Sequence, residues 1–322
     1  MIYDYALDPR LVAQWADPKE YAFYREAFSE QSGRVGCAFP NEWKRQVLSE
    51  FQRLFPRTRA DSVQRQRLDV LLSTLTPLML KRDSQHDPAQ SWLEIAECEH
   101  ARCPFRGILS EDNPRQHEAV MTPDTLFGDR LPTAWSVPPN PAIPRTPTEL
   151  ATAIAPILRT CRKAVFIDPH FRPGQPRFRE TLKAMLSILW TENGYCANAE
   201  AELLLSEGKQ GAEYEKSRAD HNHVLSKCKQ NLPAIIPPGR KLKVTLLRER
   251  EGSEKVHNRY VLTKLVGVSF GIGLDAADSE GDGQTDDLCR LSSAQLKTRW
   301  GQYVSARPSW FDTVGEPLTI TG

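Results

Sequence analysis

Lys255-Val256-His257-Asn258-Arg259-Tyr260-Val261-Leu262-Thr263, then a short turn at Lys264 to Gly267, then Val268-Ser269-Phe270-Gly271-Ile272-Gly273-Leu274-Asp275: the fold of this chain is decided by how these residues are read. Two runs of β-branched, aromatic and aliphatic residues around a turn predict a hairpin of two buried strands. A buried strand has no packing use for an imidazole and a guanidinium. Alternation along the strand puts His257 and Arg259 on one face, side by side. A nucleophile or acid–base group then stands beside a fixed cation whose forked donors match phosphate oxygens.

Working back from the hairpin, the pattern alternates between helix and strand. Lys163-Ala164-Val165-Phe166-Ile167 is a short buried strand that runs directly into Asp168-Pro169-His170-Phe171. Before it, Thr148 to about Leu158 carries helical spacing with Thr148 as the cap. After Pro173-Gly174 comes a helix with Phe178, Leu182, Met185, Leu186, Ile188 and Leu189 apolar, and a polar helix follows from about Ala212 to Gln230. Pro237-Pro238-Gly239 turns the chain into the strand Lys243 to Leu247, which leads to the hairpin. Strands and helices in this order make an α/β domain with a mixed sheet.

The hairpin resembles the active-site hairpin of the phospholipase D superfamily, whose pattern is His-x-Lys, four residues, Asp, six residues, then Gly-Ser or Gly-Thr. His257 takes the histidine position and Arg259 that of the lysine; Lys264 stands where the aspartate is expected, Gly271 is the motif glycine, and Ile272 replaces the hydroxyl residue. A strand ending in Ile167-Asp168-Pro169 and an aromatic residue is also similar to the first strand of many phospholipase D-like nuclease domains. Together the matches cover roughly residues 150 to 305, about half of the chain. The resemblance implies metal-independent phosphodiester cleavage without a cofactor, in which one histidine attacks phosphorus to give a phosphohistidine and a second protonates the leaving oxygen. It assigns His257 as nucleophile and Arg259 as phosphate clamp. Asp275 is a candidate for the missing acid, and Asp168 for a group that orients His257. His170 is a candidate auxiliary acid, although Asp-Pro equally starts an ordinary turn. Lys255, Ser269, Gly271 and His170 border the site as substrate contacts. Only one such motif is present in a strand context: no second His-x-Lys or His-x-Arg is read on a strand, and His221-Asn222-His223 lies in the polar helix with no cation two residues on. A homodimer, or a partner subunit, is therefore expected to complete the site. DNA is the expected substrate, and the resemblance points by analogy to a bacterial phage-defence system. The rival reading, favoured by the lost Asp and Ser/Thr, is a non-catalytic adaptor subunit of a larger defence or DNA-processing complex. A third is an enzyme of phospholipid headgroups.

The first half lies outside the resemblance. Asp17-Pro18 starts a helix with Tyr21, Phe23, Tyr24 and Phe28; a second begins near Asn41 with Trp43, Val47, Phe51 and Leu54; a third runs from about Ala60 through Leu68, Leu71, Leu72 and Leu75 to Pro77; Trp92, Leu93, Ile95 and Ala96 mark a fourth. These stripes predict a mainly helical N-terminal domain over 1–130, with the aromatic and leucine faces as a bundle core rather than a partner-binding surface. Prolines 132, 138, 139, 141, 144 and 147 then predict an extended linker over 131–147, leading into the phospholipase D-like α/β domain at 148–322.

Composition narrows the remaining classes. Over 322 residues, 26% are charged and 40% hydrophobic, with a formal net charge of +1, which describes a globular chain without an overall commitment to a polyanion. A basic rim on Lys255, Lys264, Arg240, Lys241 and Arg248 remains open to a polyanion locally. No apolar run approaches the ~20 residues of a membrane span, the N-terminus lacks a signal-peptide pattern, and seven irregularly spaced cysteines fit reduced thiols, so a cytoplasmic setting is expected. Cys98, His100 and Cys103 are zinc-type ligands, but no second pair lies at finger-like spacing. Gly271-x-Gly273 is not a nucleotide loop, and Asp282, Asp286 and Asp287 suggest a mobile acidic loop without calcium-loop spacing.

Overall fold

The computed structural model describes residues 2–29, 32–59, 61–82, 87, 89–137, 142–191, 198–207, 214–252, 254–277 and 283–322, with the side chains of 214–222 left undescribed. Asp282, Pro138, Pro139, Pro141, Ala212 and the side chain of His221 lie outside that set. The chain divides into two compact units, 2–139 and 140–322.

The first unit runs β1 (Tyr3–Leu7), α1 (Pro9–Gln14), α2 (Pro18–Ala27), β2 (Arg34–Ala38), α3 (Trp43–Leu54), α4 (Val63–Leu75), β3 (Leu80–Lys81), α5 (Trp92–Arg102), β4 (Gly107–Leu109), β5 (Val120–Met121) and α6 (Pro123–Leu126). Its strands form a parallel sheet in the order β3-β2-β1-β4-β5. The expectation of a mainly helical domain is therefore corrected to α/β. The four expected helices are present, α2 to α5, with Asp17 accepting from the Lys19 amide and Ser91 and Glu94 closing a capping box. The strands went unread because a parallel sheet covered on both faces shows no alternation, and because these are short and broken by Asp4, Gly36 and Cys37. The apolar stripes of α3 and α4 close over this sheet, where Trp43, Val47, Phe51, Leu68, Leu71 and Leu72 share a core with Tyr5 and Leu7 of β1.

The second unit runs β6 (Ala142–Pro144), α7 (Pro147–Ala153), α8 (Ala155–Thr160), β7 (Lys163–Ile167), α9 (Pro176–Leu189), β8 (Glu200–Ser206), α10 (Tyr214–Asn231), β9 (Lys241–Glu249), β10 (Arg259–Leu262), β11 (Gly267–Phe270), β12 (Thr285–Asp287), β13 (Cys289–Arg290), α11 (Ser293–Trp300), β14 (Phe311–Thr313) and β15 (Leu318–Thr321). A mixed sheet forms in the order β13-β11-β10-β7-β8-β9-β14, with β15 also on β9 and with β6 and β12 as a separate ribbon. Strands β7, β8 and β9 are parallel, β10 opposes β7, and β11 opposes β10. The carboxyl ends of β7, β8, β9 and β11 thus share one edge with the start of β10.

Local departures from the sequence reading have simple causes. The cap of α7 is Thr146, whose side chain accepts from the Glu149 amide, in place of Thr148. The proline-rich run is not an extended connector throughout: Trp135 is buried in the first unit's core, and Ala142–Pro144 pairs with Thr285–Asp287. Among the described residues, no helix is long and apolar enough to cross a membrane.

Candidate functional site

The hairpin is shorter than its sequence predicts. Tyr260 pairs with Ile167, and Arg259 with Phe270, and there the ladders stop. On β7 the chain turns at Asp168-Pro169, whose proline has no N–H to offer, and the Phe171 amide donates back to the Asp168 carbonyl at 3.2 Å. Upstream of β10, the Val256 amide donates to Glu249 Oε1 at 2.8 Å, and the Val256 side chain is buried, which draws the segment off the sheet. The expectation that His257 and Arg259 share a strand face is therefore corrected: β10 begins at Arg259, and His257 lies in the approach to it. His257 is exposed, its Nδ1 3.3 Å from the Lys255 carbonyl oxygen, and Lys255 is exposed beside it. Arg259 is half-buried; its Nε is shut off from solvent and has no hydrogen-bond partner among the described residues, and its charge acts on Asp168.

Three carboxylates organise the loop that follows β11. Asp168, 1% exposed, accepts the His170 amide at 2.9 Å and the Leu274 amide at 3.0 Å. Burial pushes its carboxyl above the ordinary range; the two amides and Arg259 oppose the rise, and Asp275 adds to it. Asp275 is buried with Arg145 Nη2 at 3.0 Å and Arg177 Nε at 3.4 Å. Asp286 accepts the Gly271 amide at 3.0 Å and the Ile272 amide at 3.3 Å. The glycines follow from this crowding, because a Cβ on Gly271 would lie 2.8 Å from an Asp286 carboxylate oxygen, and one on Gly273 2.3 Å from Asp275.

The structure thus gathers Arg259, Asp168, Asp275 and Gly271 at one sheet edge, with His257 and Lys255 exposed on the approach. Ser269 is half-buried on β11 opposite Tyr260, and His170 is exposed just past Asp168. No carboxylate hydrogen-bonds to His257 among the described residues. Asp286 is the participant that sequence reasoning missed. It stands in β12, 2% exposed, so the expected mobile acidic loop is corrected to a strand at its carboxyl end. Its only sequence signal is the bare glycine it crowds, Gly271.

The expected basic rim does not form as a unit. Arg248 makes a two-pronged pair with Glu207 at 2.5 and 2.9 Å. Arg240, Lys241 and Lys264 belong to the opposite edge of the sheet, where β9 starts and where β10 turns into β11. At the zinc-type ligands, Cys98 is exposed and Cys103 buried on either side of His100, whose Nδ1 accepts the Phe105 amide at 3.2 Å. No group of three His, Cys, Asp or Glu residues is disposed to hold a metal ion among the described residues.

The first unit has a cleft of about 660 Å³ by the carboxyl ends of β1 and β4, walled by Asp8, Arg10, Glu50, Trp92, Asp112 and Arg115. The order 3-2-1-4-5 reverses direction between those strands, a place where open parallel sheets receive ligands. Its charges are matched internally: Arg10 pairs with Asp8 at 3.0 Å and Asp112 at 3.4 Å, and Arg115 with Glu97 at 2.6 Å.

No family model and no curated protein matches the chain.

Proposed function

We propose that the second unit is a metal-independent phosphodiesterase that cuts DNA through a phosphohistidine, in keeping with the bacterial phage-defence setting that the resemblance implies. A His257 ring nitrogen attacks phosphorus, and the bond from phosphorus to the leaving oxygen breaks. A second histidine, supplied by another copy of the chain, gives that oxygen its proton. Water then cleaves the nitrogen–phosphorus bond, losing a proton to the second histidine and releasing a phosphomonoester. Arg259 holds the equatorial oxygens, and its fixed fork favours the charge that builds up in the transition state. The observation that carries this reading is the open imidazole of His257 two residues before the half-buried guanidinium of Arg259. A second reading, a phospholipase D-like adaptor that binds without cutting, is favoured by a different observation. Asp168, Asp275 and Asp286 are all engaged by backbone amides or arginines, which leaves none of them turned to His257.

Labelled plasmid in EDTA separates the two. The expected result is cleavage by the wild type, reduced by at least about 10³-fold in His257→Ala, which removes the attacking group itself. Arg259→Ala is expected to lose on the order of 10²-fold. Equal behaviour of wild type and His257→Ala supports the adaptor.

A further inference from the structure

The sheet edge away from His257 carries its own charge pattern. Leu262 pairs with Val165, so the β10–β11 turn with Lys264 falls level with the start of β7 at Lys163. Across the same edge β9 begins at Lys241, with Arg240 just before it and Lys243 two residues on. From β10 through β7 and β8 to β9 this edge spans three inter-strand gaps, about 14 Å. Beside it is a cleft of about 380 Å³ walled by Lys163, Arg240, Lys241 and Lys243, with Glu200 and Glu202 as its carboxylates.

Glu202 fixes the cations in place. It is 2% exposed, accepts Thr245 Oγ1 at 3.0 Å, and has Arg307 at 2.9 Å, Lys163 at 3.4 Å and Lys243 at 3.5 Å. Two carboxylates, Glu202 and Glu200 (3.7 Å from Lys163), shared among three cations still leave the group with positive charge to spare, and Lys241 and Lys264 stand exposed next to it. At the His257 edge, by contrast, Arg248 and Arg250 are matched by Glu207 and Asp312.

We propose that this edge is a binding surface for the phosphate backbone of a nucleic acid, separate from the His257 site on the same sheet. A straight row of cations about 14 Å long meets roughly four nucleotides at the ~3.4 Å rise of one strand. Backbone contacts of this sort fix register and orientation without reading sequence. The one large exposed apolar side chain on this edge among the described residues is Leu265, which is too little for insertion into a lipid surface. The surface takes its choice of nucleic acid from the function proposed above, but its test does not depend on catalysis.

The test uses the full chain with Lys241→Glu/Lys264→Glu, two exposed positions outside the Glu202 network. Fluorescence anisotropy with a labelled 30-base-pair duplex is expected to show at least tenfold weaker binding in the double variant at low salt. Its slope of log affinity against log salt is expected to be shallower by about two, and sequence is expected not to matter. Turnover of bis-(p-nitrophenyl) phosphate, too small to reach this edge, is expected to equal that of the wild type. A wild type inactive on the small diester overturns the phosphodiesterase alone, because duplex binding still reports on the surface. Equal duplex affinity of variant and wild type, a wild type that does not bind duplex, or binding to phosphatidylserine vesicles in place of duplex overturns the proposed surface.

Discussion

Asp168 shows what the site asks of a single side chain. Its carboxylate is shut away from solvent, yet each oxygen is taken by a backbone amide, one from His170 and one from Leu274. Burial lifts its carboxyl and the two amides work against that lift. The geometry makes Asp168 a loop anchor behind Arg259. Removing it strands the buried Leu274 N–H and the part-buried His170 N–H, at about 1–3 kcal/mol for a buried group. Asp168→Ala is therefore expected to lower stability by about 2–4 kcal/mol in urea unfolding at neutral pH, with Asp168→Asn recovering part of the loss by serving one amide. An unchanged midpoint for the alanine variant contradicts the anchor. The sequence marks Asp168 as a strand-end residue, because Val165-Phe166-Ile167 and Pro169 bracket it. Its partner was not legible, since Leu274 lies 106 residues away and only the folded sheet brings the two together. His257 illustrates the opposite case: period-two reasoning kept it in the strand, and a buried Val256 with its amide on Glu249 took it out.

At the scale of elements, the central strands of the second unit are tied by a charged row as well as by their ladder. Glu202 on β8 faces Lys163 on β7 and Lys243 on β9, and Arg307 reaches it from beyond α11. Burial by itself would raise the Glu202 carboxyl, but Arg307, Lys243 and Lys163 outweigh it and bring the carboxyl down from 4.5 to about 2. A carboxyl depressed in the folded state contributes stability above its unfolded value, and that contribution is lost as pH falls from about 4.5 through about 2. Glu202→Gln is expected to lower stability at pH 7 by about 1.5–3 kcal/mol, with the gap to wild type closing over that acid window in urea midpoints. A gap that stays constant from pH 7 to pH 2 counts against the ion row. Elements with a one-sided apolar stripe, such as α3 and α4, and the bounded strand β7 were legible in the sequence. Strand β8, with Leu203-Leu204-Leu205 in its middle, and the short strands of the first unit were not. In both cases neighbours on two faces bury the residues and erase the period that identifies a strand. One device is visible only with both units in view: Leu7-Asp8-Pro9 and Ile167-Asp168-Pro169 each end a parallel strand in a buried aspartate that accepts the amide two residues on, at 2.9 Å in both.

For the molecule as a whole, the decisive count is that each chain has one His257, on the approach to one such hairpin, while the proposed reaction uses two histidines, one to attack and one to protonate. His170 is exposed at the same sheet edge with Arg172 two residues on, but that pair belongs to a turn set by Asp168 and not to a strand. Two copies of the second unit related by a two-fold axis would present His257 to its counterpart and supply both roles from one sequence position. The expected mass in light scattering at micromolar concentration is accordingly twice that of the chain. Mass alone does not show that the histidines cooperate, so the sharper measurement is co-expression of wild type with His257→Ala in varied proportion. If one phosphodiester needs a histidine from each chain, a mixed dimer is dead and activity falls as the square of the wild-type fraction. If each chain cuts by itself, mixed dimers retain one working site and activity falls in direct proportion. The square law is the expected result; a straight line, or full activity in a monomer, removes the shared site while leaving the chemistry of a single His257 to be tested by its own substitution.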